Sequence, residues 1–342
     1  MDVNQHYRFT VPDRSYASLT KKDITRLAES FALSEGAVGR VNIIVSEMLT
    51  NLEKHTTQGG ELLVKAIGKP IKGIEIICLD NGPGMADPNL MLQDGVSTYG
   101  SAGEGLGAIK RQSDVFDLYS QAQVGTVIVA QVYKSTKSMP VARRYEIGNV
   151  MVPKPKEVDC GDGYAVIHHE RGVYLLALDG LGHGTHAQEA ATTAVKIYCE
   201  DPIPDPASAL RAIHTGIRRT RGAVGLAANI DITQNKLSYC GIGNIAGKLF
   251  SMDSPLSKLT YKNVISYNGI LGHNVPGTFN TQSLDWNRNK ILVVHSDGLK
   301  SRWDLSRYPN LHRHLPTTIA AVLYKDHSRQ TDDTLVLVCK AK

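Results

Sequence analysis

Ile74-Glu75-Ile76-Ile77-Cys78-Leu79-Asp80-Asn81-Gly82-Pro83-Gly84 decides the reading of the first half of the chain. Its opening residues form an apolar, β-branched run that predicts a strand, and Asp80 stands where the run stops. Asn-Gly and Pro-Gly pairs then turn the chain. A carboxylate at a strand end, backed by small residues, suits ligand selection, because it can accept a hydrogen bond from an exocyclic amine such as that of adenine.

Upstream, Val41, Ile44, Val45, Met48, Leu49 and Leu52 recur at three-four spacing, which predicts a buried helix with Ser34 near its start and Gly59-Gly60 beyond its end. Glu47 and Asn51 lie four apart, so they project from one flank of the apolar stripe. An Asn oxygen there suits a magnesium ion that bridges phosphates, and a carboxylate one turn earlier can take a proton from an attacking hydroxyl. Strands are expected at 62–67, 115–119 and 127–132, the last two joined by a turn at Gly125. Between them Gly100, Gly103, Gly105 and Gly107 predict a loop leading into a helix from Ala108, and such a loop lets backbone amides approach phosphates. Helices and strands intermix, so this part is α/β.

From Lys134 to Lys156 periodicity fails, and Pro140, Pro153 and Pro155 stand among Lys, Arg and Ser. The expected organisation is a first domain over 1–135, a connection over 136–156 and a second domain over 157–342. In the second domain, strands are expected at 164–169, 173–178, 226–230, 236–240, 291–295 and 334–339, with helices at 187–199 and 207–220.

Asp179 and Asp297 each end an apolar strand and are each followed by Gly, while Asp162 and the Asp332-Asp333 pair immediately precede strands. Four acidic positions so placed can converge on one rim. Hydrolysis of a phosphate ester needs an activated water and neutralised phosphoryl oxygens, which two bridged metal ions supply, and such ions take hard oxygen ligands.

Bulk properties narrow the class. With 342 residues, 42% of them hydrophobic and 21% charged, the chain has room for two buried cores. The net charge of +5 is scattered, with basic runs no longer than pairs such as Lys21-Lys22, so nucleic-acid binding is not expected. Five dispersed cysteines without a Cys-x-x-Cys pair predict reduced thiols and a cytoplasmic protein. Neither a secretory leader nor an apolar run of membrane-spanning length is visible.

Ser46-Glu47-Met48-Leu49-Thr50-Asn51, Asp80-Asn81-Gly82-Pro83-Gly84-Met85, Asp94-Gly95-Val96-Ser97-Thr98 and the glycine loop together resemble the GHKL ATPases, specifically the serine kinases of the anti-sigma and stressosome-switch type, over about residues 7–133. The resemblance implies a Bergerat α/β sandwich that binds ATP with Mg2+. It implies Glu47 as catalytic base, Asn51 as magnesium ligand, Asp80 as adenine contact, and Gly82, Gly84, Gly103, Gly105, Gly107 and Thr126 as further nucleotide contacts. Too few residues precede Glu47 for a phosphoacceptor domain, so His6 and His55 are not expected to carry phosphate, and His55 is expected to be a packed boundary residue.

Cys160-Gly161-Asp162, Asp179-Gly180-Leu181-Gly182-His183-Gly184, Gly241-Ile242-Gly243-Asn244, Ser296-Asp297-Gly298-Leu299 and Asp332-Asp333-Thr334 resemble the SpoIIE-type branch of the PPM metal-dependent serine/threonine phosphatases, over about 145–340. That likeness implies an αββα sandwich holding two Mn2+ or Mg2+ ions. The implied ligands are Asp162, Asp179, the Gly180 carbonyl, Asp297 and Asp332, with Asp179 bridging and Asp333 open as the alternative to Asp332. Both likenesses imply a STAS-domain protein as substrate, and an anti-sigma or stressosome component as a possible partner. The chain is therefore expected to be a bifunctional kinase and phosphatase, with a phosphatase carrying a non-catalytic, ATP-dependent binding module as the alternative.

Overall fold

The computed structural model describes residues 4–92, 105–139, 141–252 and 259–342. They divide into two compact units, Met1–Ala142 with Tyr308–Lys325, and Arg143–Arg307 with Asp326–Lys342.

The first unit contains β1 (Tyr7–Val11), α1 (Arg14–Ser30), α2 (Glu35–His55), β2 (Gly60–Ile67), β3 (Gly73–Asp80), α3 (Pro88–Met91), α4 (Gly105–Gln112), β4 (Val115–Gln121) and β5 (Gly125–Tyr133). Ser34 starts α2 as expected, its hydroxyl accepting from the Ala37 N–H, and Lys54 and His55 sit in its last turn, where the carbonyl end of the dipole favours positive charge. The strands form one antiparallel sheet in the order β1-β2-β3-β5-β4. Alternation along β3 puts Ile74, Ile76 and Cys78 in the core beneath α1 and α2, so Asp80, next in the same row, ends that row on the helical side.

The second unit contains β6 (Tyr145–Val152), β7 (Asp162–His169), β8 (Gly172–Gly180), α5 (Thr185–Glu200), α6 (Pro206–Gly216), β9 (Ala223–Asp231), β10 (Lys236–Ile242), β11 (Ala246–Ser251), β12 (Thr260–Val264), β13 (Gln282–Asp285), β14 (Lys290–His295) and β15 (Thr334–Ala341). Two antiparallel sheets, β13-β10-β9-β8-β7 and β12-β11-β14-β15-β6, share one core. On β8, Val173, Leu175 and Ala177 enter that core while Leu176 and Leu178 pack beneath α5 and α6, which explains why this strand reads as unbroken apolar sequence.

Three expectations are corrected. The stretch expected as a connection contains β6, which pairs along its length with β15; the prolines that suggested a linker merely flank it. The helix expected at 207–220 stops at Gly216, because Ile217 caps it and the chain turns through Gly222 at a φ of +80°. The glycine loop gives way to helix at Gly105 rather than Ala108, while Gly103 and the stretch Asp94 to Thr98 lie outside the described residues.

A last helix, α7 (Pro316–His327), is apolar on nearly every side and buried from Pro316 through Tyr324. Residues 308–325 belong to the first unit, although they fall within the 157–342 segment. They meet the sheet face opposite α1 and α2. There Asp117 accepts hydrogen bonds from the Leu315 N–H at 2.8 Å and the Thr318 hydroxyl at 2.6 Å, and pairs with His314 Nδ1 at 2.8 Å. Lys325 Nζ donates to Asn81 Oδ1 at 3.1 Å. On the same face Glu75 is buried beside Lys65 Nζ at 3.2 Å; burial pushes its carboxyl up, but Lys65 and His6 outweigh it and hold the group down at about 2.

Among the described residues no helix is long and apolar enough to cross a membrane. All five cysteines are free thiols, and Cys199 alone of them is exposed.

Candidate functional sites

The first site lies at the end of β3 and the start of β5, under α2. A cavity of about 330 Å³ is lined by Asn51, Asp80, Gly84, Gly105, Leu106 and Thr126 among others. Asp80 and Thr126 are opposite each other in the β3–β5 register, so their side chains share a face. Asp80 also accepts from the Gly82 N–H at 2.8 Å, which fixes its carboxylate. Burial raises its proton affinity against the opposing pull of that bond and of Lys325. His55 lines the cavity rather than merely packing at its boundary, and burial lowers its proton affinity.

Gly105 brings α4 against α2. A β-carbon built there would lie 2.8 Å from Glu47 Oε2 and 3.7 Å from Asn51 Oδ1, so glycine is what lets the helix start approach both side chains. The residues read as base and magnesium ligand thus sit together beside the first turn of a helix. Gly107 is buried within α4, and neither it nor Gly82 and Glu47 is among the residues lining the cavity.

The second site caps the core between the two sheets of the second unit. Asp162 on β7 and Asp179 on β8 are directly opposite partners. Asp179 continues the inward row Val173, Leu175, Ala177, and Asp333 precedes the inward row Leu335, Leu337, Cys339. Ser296, which follows Leu292 and Val294 in the same way, donates to Asp162 Oδ2 at 2.7 Å and accepts from the Leu335 N–H at 2.9 Å. Asn244 Nδ2 donates to Asp297 Oδ2 at 2.8 Å. Sequence reasoning missed Ser296 as a positioning group; its place one alternation beyond a core row was the available signal.

Burial and mutual repulsion raise the proton affinity of these acids. Burial acts first on Asp162, followed by Asp179, and lifts it well above the carboxylate range. Asp179 is pushed up to about 8 by burial and by the charges of Asp297, Asp332 and Asp333. Asp297 and Asp333 are raised as well, again chiefly by burial. Among the described residues, no three acids or His or Cys side chains close into a ready cage around one point. The donor set is nonetheless one of buried and half-buried carboxylate oxygens whose mutual repulsion and burial outweigh the pull of Arg329 on Asp297 and of His183 on Asp333, which is the chemistry that hard divalent ions fit.

The adjacent acids separate by role. Asp333 accepts from the Lys154 N–H at 2.7 Å and the Gly161 N–H at 2.8 Å, one bond to each oxygen. Among the described residues the Asp332 carboxylate accepts only a local bond, from the Asp333 N–H at 3.0 Å. In the neighbouring loop, His183 Nδ1 lies 3.1 Å from Glu157 Oε1 and the Thr185 hydroxyl donates to Asp159.

Residues 12–132 match the histidine kinase-like ATPase domain family. The serine/threonine-protein kinase RsbT of Bacillus subtilis (strain 168) is 36% identical over 91 residues, 27% of this chain and 68% of RsbT. The phosphoserine phosphatase RsbX of the same organism is 25% identical over 140 residues, 41% of this chain and 67% of RsbX. A solved chain described with the bacterial stressosome, a modular system adapted to control secondary messenger signalling, is 25% identical with a TM-score of 0.52, covering 58% of this chain and 100% of that one. RsbX in complex with magnesium shares the fold at a TM-score of 0.50 and 19% identity, over 59% of this chain and 98% of that chain.

Fold and sites together define a two-part chain, a GHKL kinase-like ATPase unit joined to a phosphatase unit of the PPM type. Through its first unit the chain belongs to the switch-kinase family of which RsbT is a member, and its second unit is homologous to RsbX.

Proposed function

We propose that the chain is a bifunctional signalling enzyme that phosphorylates serine or threonine on a STAS-domain regulator and removes phosphate from phosphoserine or phosphothreonine. The observation that carries the phosphatase half is the opposition of Asp162 and Asp179 at the end of the inter-sheet core, crowded by Asp297 and Asp332. Asp162, Asp179, the Gly180 carbonyl, Asp297 and Asp332 would hold two Mn2+ or Mg2+ ions. Such ions supply Lewis-acid activation of water and neutralise phosphoryl oxygens. The chain's own residues do the rest: Ser296 orients Asp162, Asn244 orients Asp297, and Asp333 ties the loops at Lys154 and Gly161 that frame the site.

In the first unit, Asp80 would read the adenine amine, and Asn51 would hold Mg2+ against the phosphates of ATP. Glu47, pressed beside Gly105, would accept the proton of the substrate hydroxyl during phosphoryl transfer. The 36% identity with RsbT supports a kinase role and a switch-type partner.

Incubating the protein with γ-labelled ATP and a candidate STAS-domain protein tests this reading. Glu47→Ala should abolish labelling while ATP still binds, and Asp179→Ala should leave the partner labelled where the unsubstituted enzyme strips it. ATP binding without transfer by the unsubstituted protein would instead make the first unit a partner-binding module.

A further inference from the structure

We infer that Arg221 is a phosphate-binding residue of the second unit, engaging the phosphoryl oxygens of the substrate. The inference rests on the phosphatase reading and concerns a residue outside the acid cluster.

Arg221 lies in the turn between α6 and β9. Its guanidinium stands over Gly182, where a β-carbon would come within 3.1 Å of Nη1. Gly182 has a φ of +88° and belongs to the Asp179-to-Gly184 loop, which carries the Gly180 carbonyl and His183. Glycine at 182 therefore serves two ends: it permits the left-handed turn and leaves room for the guanidinium.

The backbone around Arg221 is pinned to that loop. The Leu181 N–H donates to the Gly222 carbonyl at 3.0 Å, and His273 Nε2 donates to the Arg221 carbonyl at 2.9 Å. Ala223 and Leu271 exchange two further backbone bonds immediately after it. The backbone of Arg221 is thus fixed beside the loop that begins at Asp179, and the residue is exposed.

Its guanidinium has no carboxylate partner among the described residues. An arginine fixed beside a loop that begins at Asp179, the register partner of Asp162, would be expected to pair with a carboxylate of that cluster. Arg221 is held next to the site yet spends its five donors on none of the acids. A planar guanidinium left unpaired at such a rim matches two phosphoryl oxygens at once, in the geometry that makes arginine the preferred binder of phosphate dianions.

Steady-state hydrolysis of p-nitrophenyl phosphate and of a phosphoserine peptide, inhibition by inorganic phosphate, and Mn2+ titration calorimetry test the assignment on the full chain. Arg221→Met keeps the aliphatic packing on Gly182 and removes the charge. It should raise KM and the phosphate inhibition constant by roughly 10- to 100-fold, the scale of a lost charge-assisted hydrogen-bond pair, with kcat lowered by less than about 5-fold. Arg221→Lys should restore part of the loss, and Mn2+ affinity should stay within about 2-fold in both variants. An active unsubstituted enzyme whose Arg221→Met variant keeps its KM and phosphate inhibition, or loses Mn2+ binding in step with activity, overturns the assignment while leaving the phosphatase reading intact. An unsubstituted enzyme that hydrolyses neither phosphoester overturns that reading, and this inference with it.

Discussion

Asp162 and Asp179 face each other across β7 and β8 as direct register partners, both on the face turned toward the inter-sheet core. Like charges opposed in this way destabilise a strand pair unless a proton or a cation intervenes. The fold retains the pair at the rim of that core, where a divalent cation would relieve the repulsion.

The first prediction concerns pH and metal together. Asp179 has a folded-state proton affinity near 8 against an ordinary value of 3.8, so between those limits the folded state binds more protons than the unfolded state. Its contribution to stability is complete below about pH 4 and is lost as pH rises through about 8. In EDTA, the Tm should fall between pH 5 and pH 8, and Mn2+ should raise it more at pH 8 than at pH 5. Asp179→Asn should raise the EDTA Tm at pH 8 by at least about 3 °C and abolish the Mn2+ response, as read by scanning calorimetry.

Asp332 and Asp333 should part company on substitution. Asp333→Ala leaves the N–H groups of Lys154 and Gly161 without their acceptor and should cost about 1–3 kcal/mol in denaturant unfolding. Asp332→Ala should change stability by less than about 0.5 kcal/mol and lower phosphoester hydrolysis by about 100-fold or more.

Gly105→Ala probes the first unit. The added methyl meets Glu47 Oε2 at 2.8 Å and must displace it or the start of α4. Displacing a reacting carboxylate by an ångström costs on the order of 100-fold, so label transfer from ATP should fall by about that factor while phosphoester hydrolysis is unchanged.

Much of this was legible in residues whose spacing repeats. The α2 stripe, β3 running into Asp80, and β8 running into Asp179 carry periods of 3.6 or continuous apolar runs; the helix presents the candidates Glu47 and Asn51 on the flank of its stripe, and the two strands run into the candidates Asp80 and Asp179. Other parts were hidden for physical reasons. β6 sits between prolines and reads as irregular, because its partner β15 is nearly two hundred residues away. α7 shows no amphipathic stripe because nearly all of its surface is buried, and its bonds to Asp117 and Asn81 join residues distant in sequence. The different duties of Asp332 and Asp333 depend on the backbone groups of Lys154 and Gly161, which neighbouring sequence does not announce.

Anomalous diffraction from crystals grown with Mn2+ and a non-hydrolysable ATP analogue locates the cations and the nucleotide in the two units. Two manganese peaks are expected among Asp162, Asp179, Asp297 and Asp332, and a third beside Asn51 with the adenine amine against Asp80. A map with no peak between Asp162 and Asp179, or with the analogue absent from the cavity beneath α2, would contradict this expectation.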